Sequence, residues 1–67
     1  MDEREYPPLL SSFDAADYLR IPRQTLAMWR HKGVGPAYVK VGRRVMYRRI
    51  DLDRWIDGRA VDPGWTR

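Results

Sequence analysis

Ile21-Pro22-Arg23-Gln24-Thr25-Leu26-Ala27-Met28-Trp29-Arg30-His31-Lys32-Gly33 is a helix written between a proline and a glycine. Proline disfavours helical geometry in the residue before it, so whatever precedes Ile21 ends there, and Pro22 itself is tolerated in a first turn because its missing amide has no partner to lose. Gly33 stops the helix at its other end. The helix therefore runs from Arg23 to Lys32. Leu26 and Trp29, three apart, face inward; on a 100-degree wheel Gln24, Met28 and His31 point the opposite way, with Ala27 and Thr25 on the flanks. That outward face is polar and wide enough to read something.

Upstream, Ser11-Ser12-Phe13-Asp14 has the spacing of a capping box, with Ser11 accepting from the amide of Asp14 and the carboxylate favourable at a helix start. A first helix over Ser12 to Leu19 follows, with Ala15, Ala16 and Leu19 as a narrow inward stripe whose small residues admit a close neighbour. Residues 1–8 end in Pro7-Pro8 and read as a flexible N-terminal arm. Downstream, Gly33, Gly35 and Pro36 make a turn. Tyr38-Val39-Lys40-Val41 and Val45-Met46-Tyr47-Arg48 are short β-prone runs joined by Gly42-Arg43-Arg44, a hairpin with an arginine tip. Leu52, Trp55 and Ile56 then set the inward stripe of a third helix over Ile50 to Asp57, with Gly58 as its stop. The expected fold is α+β, a small winged helix-turn-helix in the order α-α-β-β-α with a basic β-hairpin wing. One domain over 9–58 is followed by a tail over 59–67, and Trp29 and Trp55 belong to the core.

The charges are segregated. Residues 1–17 carry one base and five acids, residues 18–50 nine bases and no acid, and residues 51–67 three bases and four acids. A solvated surface without a partner mixes its signs, because crowded like charges repel. An acid-free centre points to a polyanion.

Size and composition exclude much else. A chain of 67 residues makes one small domain of modest stability. With no cysteine and a single histidine it has no disulfide, no thiolate metal site and no zinc site. No nucleophile stands with a base, and no glycine-rich phosphate loop is present, so no enzyme, cofactor or metal is expected. The acidic start MDEREYPPLL lacks the apolar run of a signal peptide or membrane span, so a soluble cytoplasmic protein is expected.

Helix-turn-helix proteins lay the second helix in the major groove of double-stranded DNA. Here its N-terminus aims amides at a phosphate, and Thr25 adds a hydroxyl. Arg23 forks onto guanine and Gln24 onto adenine, while Met28 offers an apolar contact to a thymine methyl. Arg43 and Arg44 extend cations toward a minor groove. Arg30, His31 and Lys32 complete the candidate contacts. Plainer roles stand beside some of them: His31 suits a solvated helix end, and the Arg30 stem covers core while its head reaches phosphate. Arg48 and Arg49 pair with Asp51 or Asp53, or touch phosphate. Asp14 with Asp17, and Asp51 with Asp53, sit near helix starts on solvent faces, where the helix dipole explains them better than catalysis does.

The run Leu10-Ser11, Asp14-Ala15-Ala16-Asp17-Tyr18-Leu19, Ile21-Pro22-Arg23-Gln24-Thr25-Leu26, Trp29, Gly33, Val39-Lys40-Val41-Gly42-Arg43-Arg44 and Ile50-Asp51-Leu52-Asp53-Arg54-Trp55-Ile56 resembles the excisionase-type DNA-binding domain, a compact relative of the MerR winged-helix domain. The resemblance covers about residues 9 to 57. It departs at Arg20, where the family often has glycine, and at Pro22, where it often has a capping serine. It implies a bacterial, nucleoid-associated protein: an excisionase (recombination directionality factor) of a bacteriophage, binding beside further copies of itself and an integrase and bending attachment-site DNA, or an AlpA-like transcriptional regulator. A chain that is little more than the DNA-binding domain favours the architectural role. From another class, an interaction module docking an acidic protein fits the same charge pattern. The tail segment Val61-Asp62-Pro63-Gly64-Trp65 folds back on the core or meets a neighbouring protomer or integrase.

Overall fold

Local devices set the start of the first helix and the ends of the first two. Ser11 caps the first helix, its hydroxyl accepting from the Asp14 amide at 3.1 Å. In the computed structural model, which describes residues 6–61, the elements are β1 (Leu9–Ser11), α1 (Ser12–Leu19), α2 (Arg23–Lys32), β2 (Val39–Val41), β3 (Arg44–Arg48) and α3 (Arg49–Asp57). α1 and α2 end in the same Schellman pattern: Arg20 N donates to Asp17 O and Ile21 N to Ala16 O, while Gly33 N donates to Arg30 O and Val34 N to Trp29 O. Both capping residues are left-handed, Gly33 at φ 77° and Arg20 at φ 62°. Arg20 bears a steric penalty that glycine does not. Gly58, expected as the stop of α3, does follow its last residue Asp57, in a right-handed conformation at φ −69°.

The winged helix-turn-helix order holds, with one strand added in front. β3 is central in a three-stranded antiparallel sheet of order β1-β3-β2. Leu9, Leu10 and Ser11 oppose Arg48, Tyr47 and Met46. Three residues are too few to show an alternation in sequence; pairing alone makes them a strand. On the other edge Val41 opposes Arg44, so the wing tip is the two-residue loop Gly42-Arg43 and Arg44 already lies in β3. Gly42 has φ 62° and Arg43 is not among the positive-φ residues, the sign pattern of a type II′ hairpin.

The core lies between sheet and helices: Leu10, Ala15, Ala16, Leu26, Tyr47 and Leu52 are buried, and Trp29, Leu19, Ile21 and Val45 pack against them. Tyr47 is its largest fully buried side chain. The two tryptophans expected in the core are only half-buried, with ring centroids 5.3 Å apart. Trp29 packs against Gly35, where a Cβ would lie 3.0 Å from the Trp29 Cβ and the backbone φ of 89° strains any other residue, so glycine suits the position. Trp55 lies further out, with the Arg59 guanidinium 4.5 Å over its ring, and Ile56, placed on the inward stripe of α3, is exposed.

Asp51 is not on a solvent face. It is 8% exposed and accepts two bonds from the Arg48 guanidinium, at 2.7 and 3.1 Å, because β3 runs directly into α3 and sets the two residues across that junction. Asp53 accepts from the Tyr18 hydroxyl at 2.6 Å. Residues 6–8 of the arm are tied to this side of the molecule: Tyr6 stacks edge-on to Tyr18 at 5.0 Å and donates to Asp17, the Arg49 guanidinium donates to Tyr6 O, and Arg49 N donates to Pro8 O at 2.8 Å. Residues 1–5 and the tail residue Trp65 lie outside the described residues.

Candidate nucleic-acid interface

α2 turns its expected face outward. Leu26 is buried and Trp29 half-buried, while Arg23, Gln24, Ala27, Met28, His31 and Lys32 are exposed and Thr25 is half-buried on the flank. The helix start differs from that of α1. Pro22 occupies the cap with no side-chain acceptor, its carbonyl taking the amides of Thr25 at 3.0 Å and Leu26 at 3.3 Å. The first-turn amides of Arg23 and Gln24 thus meet no capping side chain, and no acid stands in that turn. Unsatisfied amides and the positive dipole end form an anion-attracting pole. Arg30, His31 and Lys32 fill the last turn, where cations suit the dipole.

The cations of α2 and the hairpin fall into two kinds. Among the described residues no side-chain hydrogen bond or ion pair holds Lys32, Lys40, Arg43 or Arg44, nor the neutral Gln24 beside them. Arg23 and Arg30 are held by aromatic rings. The Arg23 guanidinium lies 3.8 Å from the centroid of Phe13, and Arg30 donates to the Tyr47 hydroxyl at 3.3 Å and sits 5.9 Å over Tyr38. Arg30 therefore braces α2 against the hairpin, and its half-buried head is shared with the core. A shallow cleft of about 210 Å³ opens between α1 and α2, with Ser12, Arg23, Gln24 and Arg30 among its lining residues.

Residues 9–60 match the model of a family described as a helix-turn-helix domain. The chain belongs to that family. It is the small DNA-binding family of excisionase and AlpA type that the residues between Leu10 and Ile56 resemble, and the matched stretch takes in every element from β1 to α3. No curated protein matches the chain. The protein is thus a DNA-binding helix-turn-helix protein. No helix among the described residues is long and apolar enough to cross a membrane, and these residues hold no cluster of three metal-ligating side chains.

The structure brings Arg23, Gln24 and Thr25 together on the first turn of α2 and Met28, His31 and Lys32 further along it, and puts Arg43 and Arg44 on the hairpin. Sequence reasoning missed Phe13 and Tyr38, which hold the two half-committed arginines. Phe13 carried a signal: it is an apolar residue well off the Ala15, Ala16 and Leu19 stripe of its helix.

Proposed function

We propose that this helix-turn-helix protein is an excisionase, a recombination directionality factor that binds attachment-site DNA in several adjacent copies and bends it so that an integrase assembles an excisive complex. The observation that supports the reading is that, among the described residues, Lys32, Lys40, Arg43 and Arg44 meet no hydrogen-bond or ion-pair partner, on a surface where an uncapped helix start adds its own positive pole.

In this reading α2 enters the major groove and the wing reaches the neighbouring minor groove. Arg23 and Gln24 meet base edges, each good bidentate pair being worth about 1–3 kcal/mol of discrimination. Thr25 and the free amides take a phosphate, Met28 meets a thymine methyl, and Arg30, His31 and Lys32 follow the backbone. Arg43 and Arg44 anchor the wing. Bending a site of 20–30 base pairs by 40–90 degrees costs on the order of 1–6 kcal/mol, which contacts from several protomers offset.

The test is a reconstituted recombination reaction with the cognate integrase and attachment DNA. Added protein should promote excision and inhibit integration. A protein that changes neither direction but shifts transcription from a nearby promoter is instead an AlpA-like regulator using the same surface. Affinity for a defined acidic protein, with a flat salt response on DNA, would replace both with an interaction module.

A further inference from the structure

We infer that Phe13 is a positioning residue of the DNA interface: its exposed ring fixes the Arg23 guanidinium at the start of α2, so that this arginine meets DNA already oriented. The inference rests on the DNA-contact role proposed for Arg23.

Three observations carry it. Phe13 is 65% exposed, a large apolar residue on a helix whose inward face is otherwise filled by Ala15 and Ala16, so burial does not explain it. Arg23, from the next helix, lays its guanidinium 3.8 Å from the ring centroid, within cation–π range. No carboxylate among the described residues pairs with Arg23, so the ring is the partner that holds it.

Stacking suits the task for a chemical reason. A guanidinium held over a ring face leaves its N–H donors unspent, whereas a carboxylate partner would consume those donors and cancel the charge. The ring also sits in the first turn of α1, two residues after the Ser11 cap, so its own position is set by capped helical backbone. A long arginine side chain otherwise loses rotamer freedom on docking; one that is already stacked loses less. Phe13 thus acts through Arg23, not on DNA itself.

The experiment is a double-mutant cycle read by duplex titration. Wild type, Phe13→Ala, Arg23→Ala and the double variant are each titrated with a preferred duplex, with thermal melting alongside. Phe13→Ala should leave melting nearly unchanged and weaken binding at least about twofold, the lower end for an exposed cation–π pair, and more if DNA desolvates it. The same change made on top of Arg23→Ala should cost nothing further. Phe13→Tyr should restore affinity, because it keeps the ring face; Phe13→Leu should not. Equal losses from Phe13→Ala in both Arg23 backgrounds would show that Phe13 touches DNA directly and would overturn the inference. So would a Phe13→Ala protein that binds like wild type, or full activity with leucine. If Arg23→Ala itself binds normally, the failure lies with the contact role of Arg23. Wild-type protein that binds no duplex at all breaks the functional reading on which both depend.

Discussion

The two sides of this domain use the same residue types in opposite ways. On the side formed by the arm, the end of α1 and the start of α3, charged groups are consumed internally: Arg48 grips Asp51, Arg49 reaches Tyr6 O and Tyr18 donates to Asp53. On the side formed by α2 and the wing, Lys32, Lys40, Arg43 and Arg44 have no partner among the described residues, and Arg23 and Arg30 rest on rings that leave their charge uncancelled. The difference teaches that nine bases in an acid-free window are not nine equivalent contacts. Arg48 and Arg49 belong to that window by sequence and to the structural side by packing.

Tyr47 joins the two sides, its ring in the core and its hydroxyl accepting from Arg30. Tyr47→Ala is therefore expected to have the largest effect. A buried aromatic replaced by alanine costs about 3–5 kcal/mol, enough to unfold so small a domain. Urea denaturation followed by circular dichroism reads it; a cooperative transition near that of wild type would mean that the hairpin is not integral to the core.

Next in size is a change confined to the side formed by α2 and the wing. Replacing Arg43 and Arg44 together by alanine should leave melting unchanged and weaken binding to preferred and random duplexes alike. The slope of log affinity against log salt should become shallower by about 1.8, at roughly 0.9 for each phosphate that an arginine no longer neutralises. An unchanged slope would take the wing off the DNA.

The mirror experiment is Asp51→Asn, which releases Arg48 from its ion pair on the structural side. The denaturation midpoint should fall while the salt slope on DNA stays as it was. A steeper slope would mean that Arg48, once freed, reaches phosphate, and the two sides would then share their cations.

Arg20 stands at the border, in a left-handed backbone position that its counterpart Gly33 occupies without strain. Arg20→Gly is expected to stabilise the domain by about 0.5–1 kcal/mol. Equilibrium unfolding measures the gain, and a loss of stability would show that the arginine side chain contributes more than its backbone costs.

The smallest effect is alkaline. The hydrogen bond to Asp53, with burial and the carboxylate charge behind it, raises the Tyr18 pKa above the ordinary tyrosine value of 10.0. A raised value means that the proton is held more tightly in the folded state, so the stabilisation is fully present below about pH 10 and fades as pH rises through the folded value. In Asp53→Asn the tyrosinate absorbance of Tyr18 should appear at a lower pH than in the wild type. Superimposable titrations of the two proteins would remove this link between α1 and α3.

Sequence alone determined what depends on neighbours along the chain. Ser11 and Gly33 mark helix ends because caps act within one turn, Gly42 marks the hairpin because a two-residue loop needs positive φ, and the acid-free window is a property of composition. The outward face of α2 was equally legible, since 3.6-residue periodicity places Gln24, Met28 and His31 opposite Leu26 whatever the helix packs on. Tertiary structure decided the rest. β1 is a strand only because β3 lies beside it, and Tyr47 is the largest core residue only because Leu10 opposes it across that pair. Which cations stay available was also beyond any local rule: Arg23 is held by Phe13 from another helix, Arg30 by a tyrosine of the hairpin, and Arg49 by the carbonyl of Tyr6, 43 residues away. Hydrogen bonds and ring contacts of long sequence separation have no periodicity to announce them; they exist only once packing has closed the chain on itself.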